Sequence, residues 1–418
     1  MLFVVPALYI RAQVIQPLSK TETVGFSPER LQQLTRTLQQ WVNEGRMPGG
    51  EVLILRKGKT VYHQVVGFAD VANKKPLAPN QIYRIASQTK AITSVAIMML
   101  FEEGKLLLDD PVGKYIPAFQ NQTVLQTFNA ADTTYTTVPA RRPVTIRHLL
   151  THTSGIGYAA IGSPEANAIY AKHRLTPGLG IQDDNLLDAM NRLAALPLMH
   201  QPGEKFTYGL NTDLLGCLVE VISGQTLDEF FRKRIFEPLG MNDTYFTVPQ
   251  AKAGRMVVLH REEEEGKFVR ATSQMLNQKE VSPDYPLQPT TYFSGGAGLS
   301  STIKDYGIFL QMLLNGGVYN GKRILSRNSV RMMTMNQIGD LNVGPDKFGL
   351  GFRVVTESSS ARMPYRPGTY SWGGAFNTSY WVDPKEEMVI LFYRQLQHTR
   401  HPDLPDRLLA LVYAALVD

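Results

Sequence analysis

The sequence has one cysteine, Cys217, so no disulfide can form within the chain. A chain of 418 residues, 43% of them hydrophobic, can bury a large core and needs none. A lone thiol fits either the cytosol or an oxidising compartment. Cys217 lies in the apolar run LLGCLVEVI, where a buried structural thiol is expected rather than a nucleophile. The net charge is +6, but there is no Lys/Arg run with interleaved aromatics, which argues against a nucleic-acid partner. No apolar run approaches the length of a membrane helix. There is no G-x-S-x-G, because in THTSGIG His152 stands where the first glycine would be. That excludes an α/β-hydrolase elbow. H-E-x-x-H, paired C-x-x-C, P-loop and Rossmann glycine patterns are all missing, so neither a metal nor a cofactor is expected. His148 and His152 are four apart but lack the glutamate, and read as structural.

At roughly 100–200 residues per domain the length allows two or three domains. SPERLQQLTRTLQQWVNEG (27–45) reads as an N-capped amphipathic helix. GGEVLILRKGKTVYHQVVGFADV gives two strand patterns around a turn at Arg56–Lys59. SQTKAITSVAIMMLFEEG (87–104) is apolar almost all round, as a helix buried inside a protein is. From about 105 to 290, short helical patterns (211–223, 226–236) alternate with long polar loops such as 121–143 and the acidic EEEEGK at 262–267. Strand patterns resume in TYSWGGAFNTSYWVDP and MVILFYRQL, and PDLPDRLLALVYAALV is again helical.

The expected fold class is therefore α/β: an antiparallel β-sheet joining early and late strands, flanked by helices, with a mostly helical inserted region. The expected boundaries are 23–110 plus 290–418 for the sandwich and 111–289 for the helical region. Residues 1–22 read as a signal-peptide remnant or a disordered N-terminus. The start MLFVVPALYIRAQ is apolar but lacks a basic n-region and is too short to span a bilayer. A periplasmic or secreted location is the expectation, and the cytoplasm is the alternative.

Acyl transfer needs a nucleophile, a base close enough to take its proton, and donors for the oxyanion. Ser87 and Lys90 are three apart at the start of the apolar helix and share one face. The helix N-terminus and burial both disfavour an ammonium there, which favours a neutral amine that can act as a base. The plain alternative is a capping serine with a solvated lysine. A second S-x-x-K, Ser301 to Lys304, opens a more amphipathic pattern with Asp305 next, and reads as a cap. In PGEKFTYGLNTDLLG (202–216), Tyr208 precedes a helix that Asn211 or Thr212 would cap. A tyrosine beside a lysine can serve in proton transfer, though an isolated one more often packs in a core. In SWGGAFN (371–377) the paired glycines mark either a close approach of backbone or ligand, or a bulge.

Together these elements resemble the serine β-lactamase and penicillin-binding-protein superfamily, whose signatures include S-x-x-K. The likeness is to class C β-lactamases and family VIII carboxylesterases and runs over about 25–415. It includes YRIASQTKAITSVAIMMLFEEGKLLLDDPVGKYIP, TIRHLLTHTSGI, FSGGAGLSSTIKDYGIFLQMLLNGG and WGGAFNTSYWVDP. The resemblance implies that Ser87 is acylated and that Lys90 and Tyr208 share the proton transfers. It also implies that the amides of Ser87 and Ala375 form the oxyanion hole, and that Trp372, Gly373 and Gly374 flank it. Asn211 falls one residue after the family's Tyr-x-Asn asparagine. Class C enzymes carry Lys-Thr-Gly where this chain has Trp372-Gly373-Gly374, so a cation that pairs with a β-lactam carboxylate is missing. The expected function is a metal-free serine esterase or amidase with at most modest β-lactamase activity, acting on a small-molecule ester, amide or β-lactam. A true β-lactamase, a D-amino-acid peptidase or a sensor that stays acylated are the alternatives. Oligomeric state is left open.

Overall fold

The computed structural model describes residues 14–17, 20–276 and 279–418. The apolar start at 1–13 lies outside the described residues. The frame is built by α1 (Pro28–Asn43), β1 (Gly49–Arg56), β2 (Lys59–Asp70), α2 (Thr89–Glu102), α3 (Asn211–Ser223), α4 (Ile303–Leu314), β3 (Tyr370–Gly374), β4 (Thr378–Asp383), β5 (Met388–Tyr393) and α5 (Leu404–Ala414).

Early and late strands join in one sheet, in the order β2-β1-β5-β4-β3. All four pairings between these strands are antiparallel. Short strands extend both edges: Gln16–Pro17 runs parallel to β2, and Arg353–Val354 pairs with β3. The sheet is thus mixed rather than purely antiparallel.

Strand geometry sends alternate side chains to opposite faces. On β1, Val52 and Ile54 pack with α1 and α5, while Leu53 and Leu55 join the core that contains α2 and α4. On β5, Met388, Ile390 and Phe392 take the first side, and Val389, Leu391 and Tyr393 the second. Both faces are therefore covered, which is why β1 and β5 are buried at every position. Helix α1 shows the same logic. Ser27 caps it by accepting from the Arg30 amide at 3.3 Å, Pro28 occupies its first turn, and Leu31, Leu34, Leu38 and Trp41 face the sheet. At roughly 1.5–3 kcal/mol per fully buried side chain, those four contribute on the order of 6–12 kcal/mol as an upper bound.

Helix α2 is buried continuously from Thr89 to Leu100, as an all-round apolar helix must be. One contiguous apolar cluster runs from the sheet through α2 into α3 and the helices Pro164–Lys172 and Leu186–Ala194. The middle region is less purely helical than its sequence suggests. Residues 121–143, read as a polar loop, form the hairpin Thr123–Asn129 with Thr134–Pro139, and the acidic stretch forms the hairpin His260–Glu264 with Lys267–Arg270. Both ladders are short and mostly solvated, so they lack the alternating apolar face that reveals a half-buried strand. Among the described residues no helix is long and apolar enough to cross a membrane.

Candidate active site

Ser87 sits in the tight 3-10 turn Ala86–Gln88 that feeds α2. Ala86 has φ 43°, a left-handed conformation that costs a non-glycine residue of order 1–3 kcal/mol. The surroundings hold that strain in place. The Ile85 amide donates to Leu299 O at 3.1 Å. Tyr306 Oη on α4 donates to Gln88 O at 2.8 Å, and Tyr393 Oη on β5 donates to Gln88 Oε1 at 2.6 Å. Gln88, Tyr306 and Tyr393 are all fully buried.

Lys90 lies one turn on and is 3% exposed, so the solvated-lysine reading fails. Its Nζ is 3.2 Å from Ser87 Oγ, 2.9 Å from Tyr158 Oη and 2.7 Å from Gly296 O. An ammonium has three donors and no acceptor, and a neutral amine has two donors and one lone pair. Three polar neighbours saturate either form. The Tyr208 ring covers the amine, with Nζ 4.6 Å from its centroid. The Trp372 indole then backs Tyr208, its ring 5.4 Å away and its Nε1 donating to Tyr208 Oη at 3.4 Å.

Strand β3 runs past the Ser87 turn. It pairs with β4 without a register shift, so the paired glycines are not a bulge. A Cβ on Gly374 would collide with Ile85 O, and one on Gly373 would lie 3.0 Å from Thr378 O. Close backbone approach is therefore what the glycines allow. It brings Ala375, the next residue, to the same cleft as Ser87.

Three expectations are corrected. Neither Asn211 nor Thr212 caps α3, which begins at Asn211 itself after an uncapped Leu210. Asn211 is fully buried and does not line the cleft. Its Oδ1 accepts from Ser154 Oγ, and its Nδ2 lies 3.0 Å from His152 Nδ1, so it braces the loop behind Tyr208. The second S-x-x-K is not capped by its serine: Thr302 caps α4, while Ser301 is buried in a two-residue strand 2.7 Å from Thr244 Oγ1 and Lys304 is exposed. His148 completes a capping box with Thr145, and burial, reinforced by Arg142, lowers it to about 4. His152 stacks on Tyr208, 4.8 Å between centroids, and is held well below its usual range by burial and then by Lys90. Both histidines are structural, as read. Cys217 is buried, and burial pushes its thiol up to about 12.

Sequence reasoning missed Tyr158, Asp213 and Gly296. Burial raises Tyr158 well above its usual range, and Tyr208 and Asp213 raise it further. Asp213 accepts from Ser294 Oγ at 2.6 Å and from Tyr292 Oη at 3.2 Å. Burial raises its carboxyl, while the Ser294 bond and the Lys90 charge oppose the shift. A signal existed for Asp213 alone: a carboxylate in the first turn of an otherwise apolar helix needs a partner. No group of carboxylate, imidazole and thiol side chains that could hold a metal occurs among the described residues.

A serine beside a buried lysine at the head of a buried helix, with a strand running past it, is the arrangement that a serine hydrolase working through an acyl-enzyme requires. The model of the beta-lactamase family matches residues 31–415, and the chain belongs to that family. It is 34% identical over 382 residues to an uncharacterized protein of Mycobacterium tuberculosis, covering 88% of this chain and 90% of the relative. It is 29% identical over 362 residues to esterase EstB of Burkholderia gladioli, covering 84% and 86% of the two chains. Among solved structures, EstCE1, described as a hydrolase with promiscuous acyltransferase activity, superposes with a TM-score of 0.78 at 26% identity over 94% of this chain and 99% of that one. Simvastatin synthase from Aspergillus terreus shares the fold, with a TM-score of 0.78 at 24% identity over 93% and 99%.

Proposed function

We propose that the protein is a carboxylic-ester hydrolase with Ser87 as nucleophile, Lys90 as its base and Tyr208 as the acid for the leaving alcohol. The observation that carries the reading is the position of Lys90 Nζ, 3.2 Å from Ser87 Oγ with its other two directions filled by Tyr158 Oη and Gly296 O. In the reacting form the amine is neutral. Its two N–H groups serve Gly296 O and Tyr158 Oη, and its lone pair faces the Ser87 hydroxyl. Ser87 Oγ adds to the ester carbonyl as its proton moves to Lys90 Nζ. The amides of Ser87 and Ala375 receive the oxyanion. Collapse breaks the C–O bond to the alcohol, whose oxygen takes the proton of Tyr208 Oη, and the Lys90 proton returns to Tyr208 by way of Tyr158 Oη, which lies 2.9 Å from Nζ and is hydrogen-bonded to Tyr208. A water then adds to the acyl-enzyme in the reverse sense and releases the acid and Ser87.

The preference for neutral esters over β-lactams is supported by Trp372. An indole backing Tyr208 replaces the cation that would pair with a substrate carboxylate. Arg353, further out in the cleft, is engaged by the buried Asp346 carboxylate, which offsets its charge. EstB is an esterase by name, and that points the same way. Turnover of a p-nitrophenyl acyl ester and of nitrocefin, measured side by side, tests the reading. Ester hydrolysis with little nitrocefin hydrolysis supports it. Fast nitrocefin turnover, or a stoichiometric burst with no turnover on either substrate, would overturn it.

A further inference from the structure

The cleft divides at Ser87 into two lobes of different chemistry. Both touch Ser87, Ile161 and Ala375. The larger lobe, about 600 Å³, holds Tyr208 and Trp372, with Arg353 and Asp406 further out. The smaller, about 330 Å³, has neither Tyr208 nor any carboxylate, ammonium or guanidinium group among its described lining residues. Its walls include Leu179, Leu259, Leu276, Val281, Tyr285 and Phe376. Ala86, Leu259, Tyr285 and Phe376 form a separate apolar cluster with Leu179 packed on it, so this wall is built rather than incidental.

The geometry of the tetrahedral intermediate decides which lobe holds which part of the substrate. Besides Ser87 Oγ, the reacting carbon carries the oxyanion, the leaving oxygen and the acyl chain. The oxyanion goes to the two amides. The leaving oxygen must face the acid, and Tyr208 opens only into the larger lobe. The acyl chain is left with the smaller lobe. We propose that the smaller lobe is an acyl-chain subsite, selecting uncharged, apolar acyl groups of medium length, and that the alcohol occupies the larger, more polar lobe. This rests on the assignment of Ser87 and Tyr208 above. At about 30 Å³ per water-sized group, the smaller lobe has room for on the order of ten heavy atoms. An acyl chain of roughly six to ten carbons fills it.

The test is the dependence of kcat/KM on chain length across p-nitrophenyl acetate, butyrate, hexanoate, octanoate, dodecanoate and palmitate. Each methylene that enters an apolar lobe is worth up to about fourfold. The wild type is expected to rise from acetate to a maximum at hexanoate or octanoate, then fall. Leu276→Trp and, independently, Leu179→Trp fill the lobe from two different segments. Each is expected to lower the octanoate-to-acetate ratio at least tenfold. Leu276→Ala enlarges it and is expected to raise the dodecanoate-to-octanoate ratio. Met363→Trp, in the larger lobe, is expected to leave these ratios within about twofold. A flat wild-type profile would overturn the proposal, as would ratios moved by Met363→Trp but not by the two lobe-filling variants. Intact mass read in parallel separates the levels. An acylated Ser87 with a flat profile sinks the subsite alone, whereas no turnover of any of these esters, or turnover that persists in Ser87→Ala, sinks the esterase reading itself.

Discussion

Replacing Tyr208 with phenylalanine separates chemistry from packing. The ring stays over Lys90, where Nζ is 4.6 Å from its centroid, and keeps its contacts with His152, Tyr158 and Trp372 at 4.8, 5.4 and 5.4 Å. The hydroxyl is lost, together with its hydrogen bond to Tyr158 and the long 3.4 Å bond from the Trp372 indole. Neutral bonds contribute about 1 kcal/mol each, so Tyr208→Phe is expected to fold with Tm only modestly lowered. Removing a general acid costs roughly 10²–10⁴ in rate, equivalent to about 3–5 kcal/mol of barrier. The loss depends on the leaving group. An alkoxide from a simple alkyl ester must be protonated as it departs, whereas p-nitrophenolate leaves without a proton. Tyr208→Phe is therefore expected to cost the full factor on an ethyl ester and at least tenfold less on a p-nitrophenyl ester of the same acid. Steady-state kcat/KM on the two esters decides it. Equal losses on both would refute the assignment of Tyr208 as the acid, because that pattern belongs to a group acting on Ser87 before the leaving group matters. No loss on either would remove Tyr208 from the chemistry.

Tyr393→Phe removes the 2.6 Å bond to Gln88 Oε1 and leaves that oxygen buried without its donor, a cost of about 1–3 kcal/mol. It is expected to lower Tm and to reduce kcat up to about tenfold with KM little changed. A lower Tm with kcat intact would show that the clamp on Gln88 does not position Ser87. Trp372→Lys is expected to raise the ratio of nitrocefin to neutral-ester kcat/KM by on the order of 1–2 kcal/mol, comparable to one charge-assisted bond. An unchanged ratio would mean that the indole does not face the bound substrate. His260 is held to about 4 by burial, and its Nε2 accepts from the Val71 amide at 3.2 Å, so the fold requires the neutral ring. Stability from this site is complete above about 6.5 and is lost as pH falls towards 4, by up to about 3 kcal/mol. His148 and His152 destabilise over the same window, so His260→Gln is expected to lessen, not abolish, the fall of Tm with pH there, and parallel slopes for variant and wild type would contradict it.

The parts of this molecule legible in its sequence are those with one physical explanation. An all-round apolar helix has to be buried, and a lysine in its first turn then needs partners, which is why Ser87 and Lys90 stand out against Ser301 and Lys304. The strands β1 and β5 announce themselves by continuous burial. Tyr158 and Gly296 gave no local signal, because they come to Lys90 from segments about 70 and 200 residues away through tertiary packing alone. Asn211 was misread because one residue of offset turns its side chain from the cleft into the loop at 152–156. The cap of α4 moved by one residue, from Ser301 to Thr302, within the ordinary uncertainty of helix ends.

The most direct measurement is intact-mass and peptide mapping of the acyl adduct formed with a slowly deacylating p-nitrophenyl ester, on the wild type and on Ser87→Ala, Lys90→Ala and Ser301→Ala. The expected result is a single adduct on Ser87 in the wild type and no adduct in Ser87→Ala. Lys90→Ala should label several orders of magnitude more slowly, and Ser301→Ala within a few fold of wild type. An adduct that persists in Ser87→Ala, or one mapped to Ser301, would contradict the assignment of Ser87 as the nucleophile and with it the chemistry built on Lys90 and Tyr208.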